Sequence, residues 1–139
     1  MVKILIFEKI EKFASLSLDY LKHNGFEAYC LSNYQEIAPW VRENTPNLIL
    51  LDLMLPGSDG IRIYKEIRAF SSVPIIAVIA RLDQINALSE LELEADGYIC
   101  KLFSPREIVA RVKMVLLQAE SQSGNDRKAH RWVVEVAHS

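Results

Sequence analysis

Short apolar runs alternate with longer amphipathic stretches along residues 2–117. Val2 to Phe7 reads as a buried strand. From Ile10 to His23 the apolar positions Ile10, Ala14, Leu18 and Leu21 fall at helical spacing, and Asn24-Gly25 supplies a stop. Phe26 to Leu31 is a second strand. Ser32-Asn33-Tyr34-Gln35 matches a capping box, and Tyr34, Ile37, Ala38 and Val41 share one helical face. Thr45-Pro46 ends that helix, because proline disfavours helical geometry in the residue before it. Asn47 to Leu55 is then an apolar run broken by one carboxylate, Asp52, and the turn residues Pro56-Gly57-Ser58-Asp59-Gly60 follow. A strand apolar on both faces belongs in the middle of a parallel sheet covered by helices.

The second half repeats the alternation. Gly60 opens a helix with Ile63, Ile67 and Phe70 on its inner face, and Ser71-Ser72 punctuates it. Pro74 to Ala80 is a fourth strand. Asp83 is placed to cap a helix through Ala95, with Leu88 and Leu91 inward. Gly97 to Cys100 is a short fifth strand, ended by Lys101. Ser104-Pro105-Arg106-Glu107 combines an N-cap serine, proline at the first helical position and a glutamate to close the box. Ile108, Val109, Val112, Val115 and Leu116 line the helix that follows. The expected architecture is α/β: a three-layer sandwich with a doubly wound (βα)5 parallel sheet.

The length of 139 residues fits one domain with a sizeable core. A formal net charge of −2 gives no electrostatic footprint for nucleic acid, so direct nucleic-acid binding by this chain is not expected. The basic patch Arg127 to Arg131 is too short to alter that. Residues 120–139 turn polar and read as a linker and short tail, in which Trp132 to Val136 is a lone strand-like run and not a complete second domain. Cys30 and Cys100 read as free thiols in a reducing compartment, with a disulfide left open and no metal-like spacing. The N-terminal apolar run is too short for a membrane span and lacks a cleavage site, so a cytoplasmic protein without membrane attachment is expected.

In open α/β sheets the ligand crevice lies outside the carboxyl ends of the strands. Strand ends deliver Glu8, Lys9, Asp52 and Lys101 to that edge. Taken singly, Asp52 reads as a satisfied strand-end carboxylate, Glu8 as a helix N-terminal charge and Lys101 as a surface lysine. Taken together they suit a carboxylate that is phosphorylated while an ammonium neutralises the phosphoryl oxygens. The loop Phe7-Glu8-Lys9-Ile10-Glu11 has no Gly, Ser or Thr, which argues against a dinucleotide fingerprint, a P-loop or a flavodoxin-type phosphate loop. No Gly-x-Ser-x-Gly elbow is present, and His23, His130 and His138 occupy helix-end or tail positions, so a hydrolase has little support.

The chain resembles the receiver domain of bacterial two-component response regulators. The resemblance is carried by Lys3-Ile4-Leu5-Ile6 with Glu8, Leu50 to Gly57 with Asp59-Gly60, Ala95-Asp96 with Tyr98 to Lys101, and Ser104 to Glu107. The last stretch, through Val109-Ala110-Arg111-Val112, resembles the OmpR-type subfamily and its BaeR-like members. The resemblance implies a flavodoxin-like strand order 2-1-3-4-5 over residues 1–119, and a switch in a phosphorelay rather than an enzyme. It implies Asp52 as the acceptor of a phosphoryl group from a sensor histidine kinase. By the same resemblance Glu8 and Asp52 are ligands for Mg²⁺, Lys101 contacts the phosphate, and Phe103 matches the aromatic switch position. A homodimer is implied through the face formed by the helix of 83–95, the fifth strand and the last helix.

Four positions depart from that family's pattern. Lys9 stands for the second metal-binding acid, and a like charge about 4 Å from a cation costs on the order of 4 kcal/mol at an effective dielectric of ~20. Ile79 replaces the Thr or Ser that would donate to a phosphoryl oxygen. Leu102 replaces a proline whose bond is usually cis; a non-proline cis bond costs roughly 3 kcal/mol, so a trans bond and a displaced Lys101 are expected. Gly97 replaces an acid of the dimer face, where Asp96, Glu107 and Arg111 remain. The expectation is a receiver with impaired Mg²⁺-dependent phosphorylation. The alternative is a phosphorylation-independent pseudo-receiver that acts as a protein-interaction module.

Overall fold

A computed structural model describes residues 1–53, 59–80, 85–86, 95–101 and 103–121. Its strands are β1 (Lys3–Phe7), β2 (Glu27–Leu31), β3 (Leu48–Asp52), β4 (Ile75–Ile79) and β5 (Gly97–Cys100), and its longer helices are α1 (Glu11–His23), α2 (Ile37–Asn44), α3 (Asp59–Arg68) and α4 (Pro105–Ser121). The strands are parallel in the order β2-β1-β3-β4-β5, the flavodoxin-like arrangement. The expected turn at 54–58, most of the helix of 83–95, the peptide bond at Leu102 and the tail from Gln122 lie outside the described residues.

The sheet divides the core in two. Leu5, Phe7, Ile49, Leu51, Ile75, Ala77 and Ile79 face Ile37 and Val41 of α2 and Ile63 and Ile67 of α3. Ile4, Ile6, Leu48, Leu50, Ile76 and Val78 face Leu21 of α1 and Ile108, Val109, Val112 and Val115 of α4. Every residue of β3 and β4 is buried, which is why their sequences are apolar on alternate and intervening positions alike. Each fully buried Leu or Ile contributes about 1.5–3 kcal/mol relative to exposure, so the two clusters supply the main driving force for the layered fold.

Local signals hold with small corrections. Ser104 and Glu107 close a reciprocal cap: the Glu107 N–H donates to Ser104 Oγ at 3.3 Å, and the Ser104 N–H donates to Glu107 Oε1 at 3.2 Å. In the earlier box the cap is Asn33 and not Ser32; Asn33 Oδ1 accepts from the Gln35 N–H at 3.0 Å and starts a 3-10 turn, Tyr34–Glu36, ahead of α2. Ile10 precedes α1 and is 49% exposed rather than inward. Phe70 lies beyond α3 on the surface, with the Arg42 guanidinium 4.4 Å over its ring. α2 ends on Thr45 in the left-handed conformation at φ 42°, immediately before Pro46. α4 continues to Ser121, two residues past the expected boundary at Ala119.

Asp96 also differs from expectation. It is buried, and one carboxylate oxygen accepts from the Ile75 N–H at 2.8 Å and from Arg68 Nη2 at 3.1 Å. Arg68 Nη1 donates in addition to the carbonyls of Val73 at 2.7 Å and Ser71 at 3.3 Å. Asp96 therefore staples the strand starts together and is not a surface charge of a dimer face. Gly97 is close-packed: a Cβ there would sit 3.1 Å from Val115 and 3.7 Å from the Arg111 side chain.

Candidate functional site

The register decides which side chains meet. Phe7 pairs with Leu51 across β1 and β3, so the next residue on each strand, Glu8 and Asp52, emerge side by side at the carboxyl edge. Asp52 pairs with Val78, and Val78 with Ile99, which brings Lys101 to the same edge from β5. The backbone there is fixed by the Leu53 N–H on the Val78 carbonyl at 2.9 Å and the Lys101 N–H on the Ile79 carbonyl at 2.8 Å. Lys101 Nζ lies 3.1 Å from Asp52 Oδ2, 2.9 Å from Glu8 Oε1 and 3.0 Å from Glu8 Oε2. Glu8 Oε2 also accepts from the Ile10 N–H at 3.1 Å, two residues ahead in its own loop. The trio is nearly dry: the three side chains are 5%, 3% and 6% exposed for Glu8, Asp52 and Lys101.

Two carboxylates and one ammonium leave one formal negative charge in a buried place. The Glu8 carboxyl responds: burial raises its pKa above the usual glutamate range, the Lys101 ammonium pulls it down, and the neighbouring Asp52 pushes it up again. Such an arrangement presents a nucleophilic oxygen on Asp52 beside a cation ready to neutralise an incoming anion.

Of the residues expected at this edge, Glu8, Asp52 and Lys101 come together and Lys9 does not. Lys9 is exposed and, among the described residues, forms no ion pair. β1 ends at Phe7, so the two-residue alternation of a strand does not govern Glu8 and Lys9. The repulsion expected from a lysine about 4 Å away is thus replaced by a simpler deficit: a carboxylate is missing. Lys101 is not displaced from the site by its Leu102 neighbour, since its ammonium reaches both acids.

Ile79 and Phe103, the two positions expected to act as a switch, lie on opposite faces of the sheet. Ile79 is fully buried on the α2–α3 face of the sheet, whereas Phe103 packs on the opposite, α1–α4 face. Among the aromatics on the face of Ile79 is Tyr98, on the neighbouring strand β5, whose hydroxyl accepts from the Ala95 N–H at 3.2 Å. The two-residue period of β5, with Ile79 paired to Cys100, could have identified it.

Two further residues bear on the site in ways the sequence pattern does not convey, Phe13 altogether and Gly60 beyond its place at a helix start. Phe13, outside the apolar series assigned to α1, places its ring 4.6 Å from the Lys101 ammonium. Gly60, at the start of α3, is required by close approach: a Cβ would lie 2.8 Å from Leu53 Cδ2, 3.0 Å from the Asp52 carbonyl oxygen and 3.1 Å from Leu53 Cα. The last two are backbone atoms and cannot rotate aside. Gly60→Ala is therefore expected to lower the unfolding free energy by about 1–3 kcal/mol. A urea midpoint equal to that of the unaltered protein would show that the α3 start relaxes freely.

Glu8 and Asp52 are the two carboxylates that the described residues bring to the edge where the family resemblance implies Mg²⁺. Among the described residues no group of three His, Cys, Asp or Glu side chains gathers. The ammonium of Lys101, within 3.1 Å of both carboxylates, already holds the position a dication would compete for.

Residues 4–113 match the family described as the response regulator receiver domain. The chain is 47% identical over 120 residues to the transcriptional regulatory protein BaeR of Escherichia coli O6:H1 (strain CFT073), which covers 86% of this chain and 50% of that protein. The chain thus spans about half the length of that curated relative. It superposes on the receiver domain of TorR, the response regulator of the TMAO respiratory system, with a TM-score of 0.75 at 30% identity, covering 85% of this chain and 98% of the other. The BeF3-activated receiver domain of RstA from Klebsiella pneumoniae gives a TM-score of 0.72 at 27% identity, covering 82% and 97%. The chain belongs to the response regulator receiver domains, in the OmpR-type branch to which BaeR belongs.

Proposed function

We propose that residues 1–119 are the phosphoacceptor unit of a two-component pathway, with Asp52 as acceptor and a sensor histidine kinase as donor. The observation that carries this reading is the buried contact of Asp52 with Lys101 at 3.1 Å, at the carboxyl edge of the sheet. In the step proposed, an Asp52 oxygen attacks the phosphorus of a phosphohistidine, the P–N bond breaks with its electron pair leaving on the imidazole, and Lys101 meets the charge on the transferred group. The chain is then a substrate and switch, not a turnover catalyst. Control of transcription would be exerted through whatever the receiver is joined to or meets.

The reading includes weak dependence on Mg²⁺. Glu8 and Asp52 are the acids at the site, the Lys9 side chain turns to solvent, and buried Ile79 offers no hydroxyl. The same closed trio favours one alternative, a module held in a single conformation that signals by contact alone. No helix among the described residues is long and apolar enough to cross a membrane, and both cysteines are free. These fit a cytoplasmic setting.

Incubation with acetyl phosphate or phosphoramidate, with and without Mg²⁺, followed by intact-mass measurement, tests the proposal. The expected result is slow addition of one phosphoryl group with little stimulation by Mg²⁺, and a Mg²⁺ response gained in Lys9→Asp. Fast labelling that requires Mg²⁺ would overturn the weak-metal reading. No labelling from either donor or from a phosphorylated kinase would leave the contact module.

A further inference from the structure

The first turn of α1 is close to the site for a geometric reason. Side chains on a helix lean toward its N-terminus, and α1 starts at the carboxyl edge of β1, so a large residue in its first turn leans over that edge. Phe13 is that residue. Its ring centroid lies 4.6 Å from Lys101 Nζ, inside the ~6 Å reach of a cation–π contact. The same ring stacks on Phe103, with centroids 6.0 Å apart and planes 22° from parallel. Phe103 immediately precedes Ser104, the cap of α4.

We propose that Phe13 is a positioning residue for the acceptor site. Its ring holds the Lys101 ammonium between Glu8 and Asp52 and ties the lysine to Phe103 at the start of α4. The clamp rests on geometry alone; its bearing on phosphoryl transfer rests on the acceptor reading above.

Burial explains why the ring matters. A lysine ammonium 6% exposed has little water to solvate it, and among the described residues its partners are two acids and one aromatic face. Cation–π contacts strengthen when desolvated. A residue of similar bulk without a π face would fill the volume and leave the ammonium freer to drift toward Glu8, which already contacts it through both oxygens. The clamp also gives the site a route to the α1–α4 layer. Ile79, on the other face, has no polar group to sense a phosphoryl oxygen. A change of charge on Asp52 alters the pull on Lys101, and Lys101 and Phe103 press on the same ring.

The test compares Phe13→Leu with Phe13→Tyr, the second keeping the ring. NMR reads the clamp directly: protons over an aromatic face resonate upfield. The Lys101 Hε signals are expected upfield of other lysines in the unaltered protein and in Phe13→Tyr, and at ordinary positions in Phe13→Leu. Asp52→Asn is expected to move the Phe103 ring signals in the unaltered background and not in Phe13→Leu. Phosphoramidate labelling should slow about tenfold in Phe13→Leu and stay within about twofold in Phe13→Tyr. Lys101 signals unchanged in Phe13→Leu, or lost equally in Phe13→Tyr, would overturn the clamp. Phe103 signals indifferent to Asp52→Asn would overturn its link to α4. If the unaltered protein takes no label, the acceptor reading fails while the NMR comparison still decides the clamp.

Discussion

Lys101→Met is expected to lower the unfolding free energy by about 3–5 kcal/mol near neutral pH, measured by urea titration. Methionine keeps the length and apolar stem of lysine, so little of the loss comes from packing. What is lost is the cation shared by two buried acids. Glu8, whose carboxyl is already raised by burial, loses the one group that pulls it down most strongly. The pH dependence follows from that direction. An acid whose folded pKa lies above its unfolded value folds more readily when protonated. The deficit of Lys101→Met should therefore be small below the unfolded glutamate range, grow as pH rises through the window above it, and be complete beyond the folded value. A deficit that is small and flat with pH would mean that water or a counter-ion replaces the ammonium at little cost.

Asp52→Asn is expected to abolish phosphoryl labelling and to leave the unfolding midpoint unchanged or raised. The second half separates this site from an ordinary buried ion pair. Removing one of two acids around a single ammonium leaves Glu8 and Lys101 as a neutral pair, 2.9 Å apart, and removes a like-charge contact that raises Glu8. Asparagine keeps a carbonyl oxygen to accept from Lys101. The two substitutions thus have opposite consequences for stability although they break the same 3.1 Å contact. Mass spectrometry that still finds the phosphoryl group on Asp52→Asn would move the acceptor elsewhere, and a strongly lowered midpoint would show that asparagine is not accommodated beside Glu8 and Lys101.

The layered fold was legible because burial on both faces leaves a plain mark. β3 and β4 are apolar at every buried position except Asp52, and the strand-end rule then put Asp52, Glu8 and Lys101 on one edge. What the pattern did not convey was direction. Glu8 and Lys9 are neighbours in sequence, yet Glu8 is buried in the site and Lys9 is exposed. Phe103 and Tyr98 lie near Lys101 on either side in sequence, yet pack on opposite faces of the sheet. The family resemblance puts Asp96 among the charges of a dimer face, whereas Arg68, 28 residues away, and the Ile75 amide hold it inward. Phe13, and Gly60 beyond its place at a helix start, were silent for a related reason: their importance lies in the distance to a backbone or a cation that no local pattern encodes.

That inward-turned Asp96 has a mechanical consequence. Together with Arg68 it joins the end of α3, the carbonyls of 71 and 73, the first amide of β4 and the residue before β5 into one knot at the amino end of the strands. The β4–β5 side of the sheet is anchored there, at the end opposite Asp52. If Asp52 is the acceptor proposed above, displacements that begin there are expected at strand tips and helix starts rather than as sliding of whole strands. On the proposed acceptor role, the knot predicts that the pairing register of β4 and β5 at this end is the same with and without a phosphoryl group on Asp52.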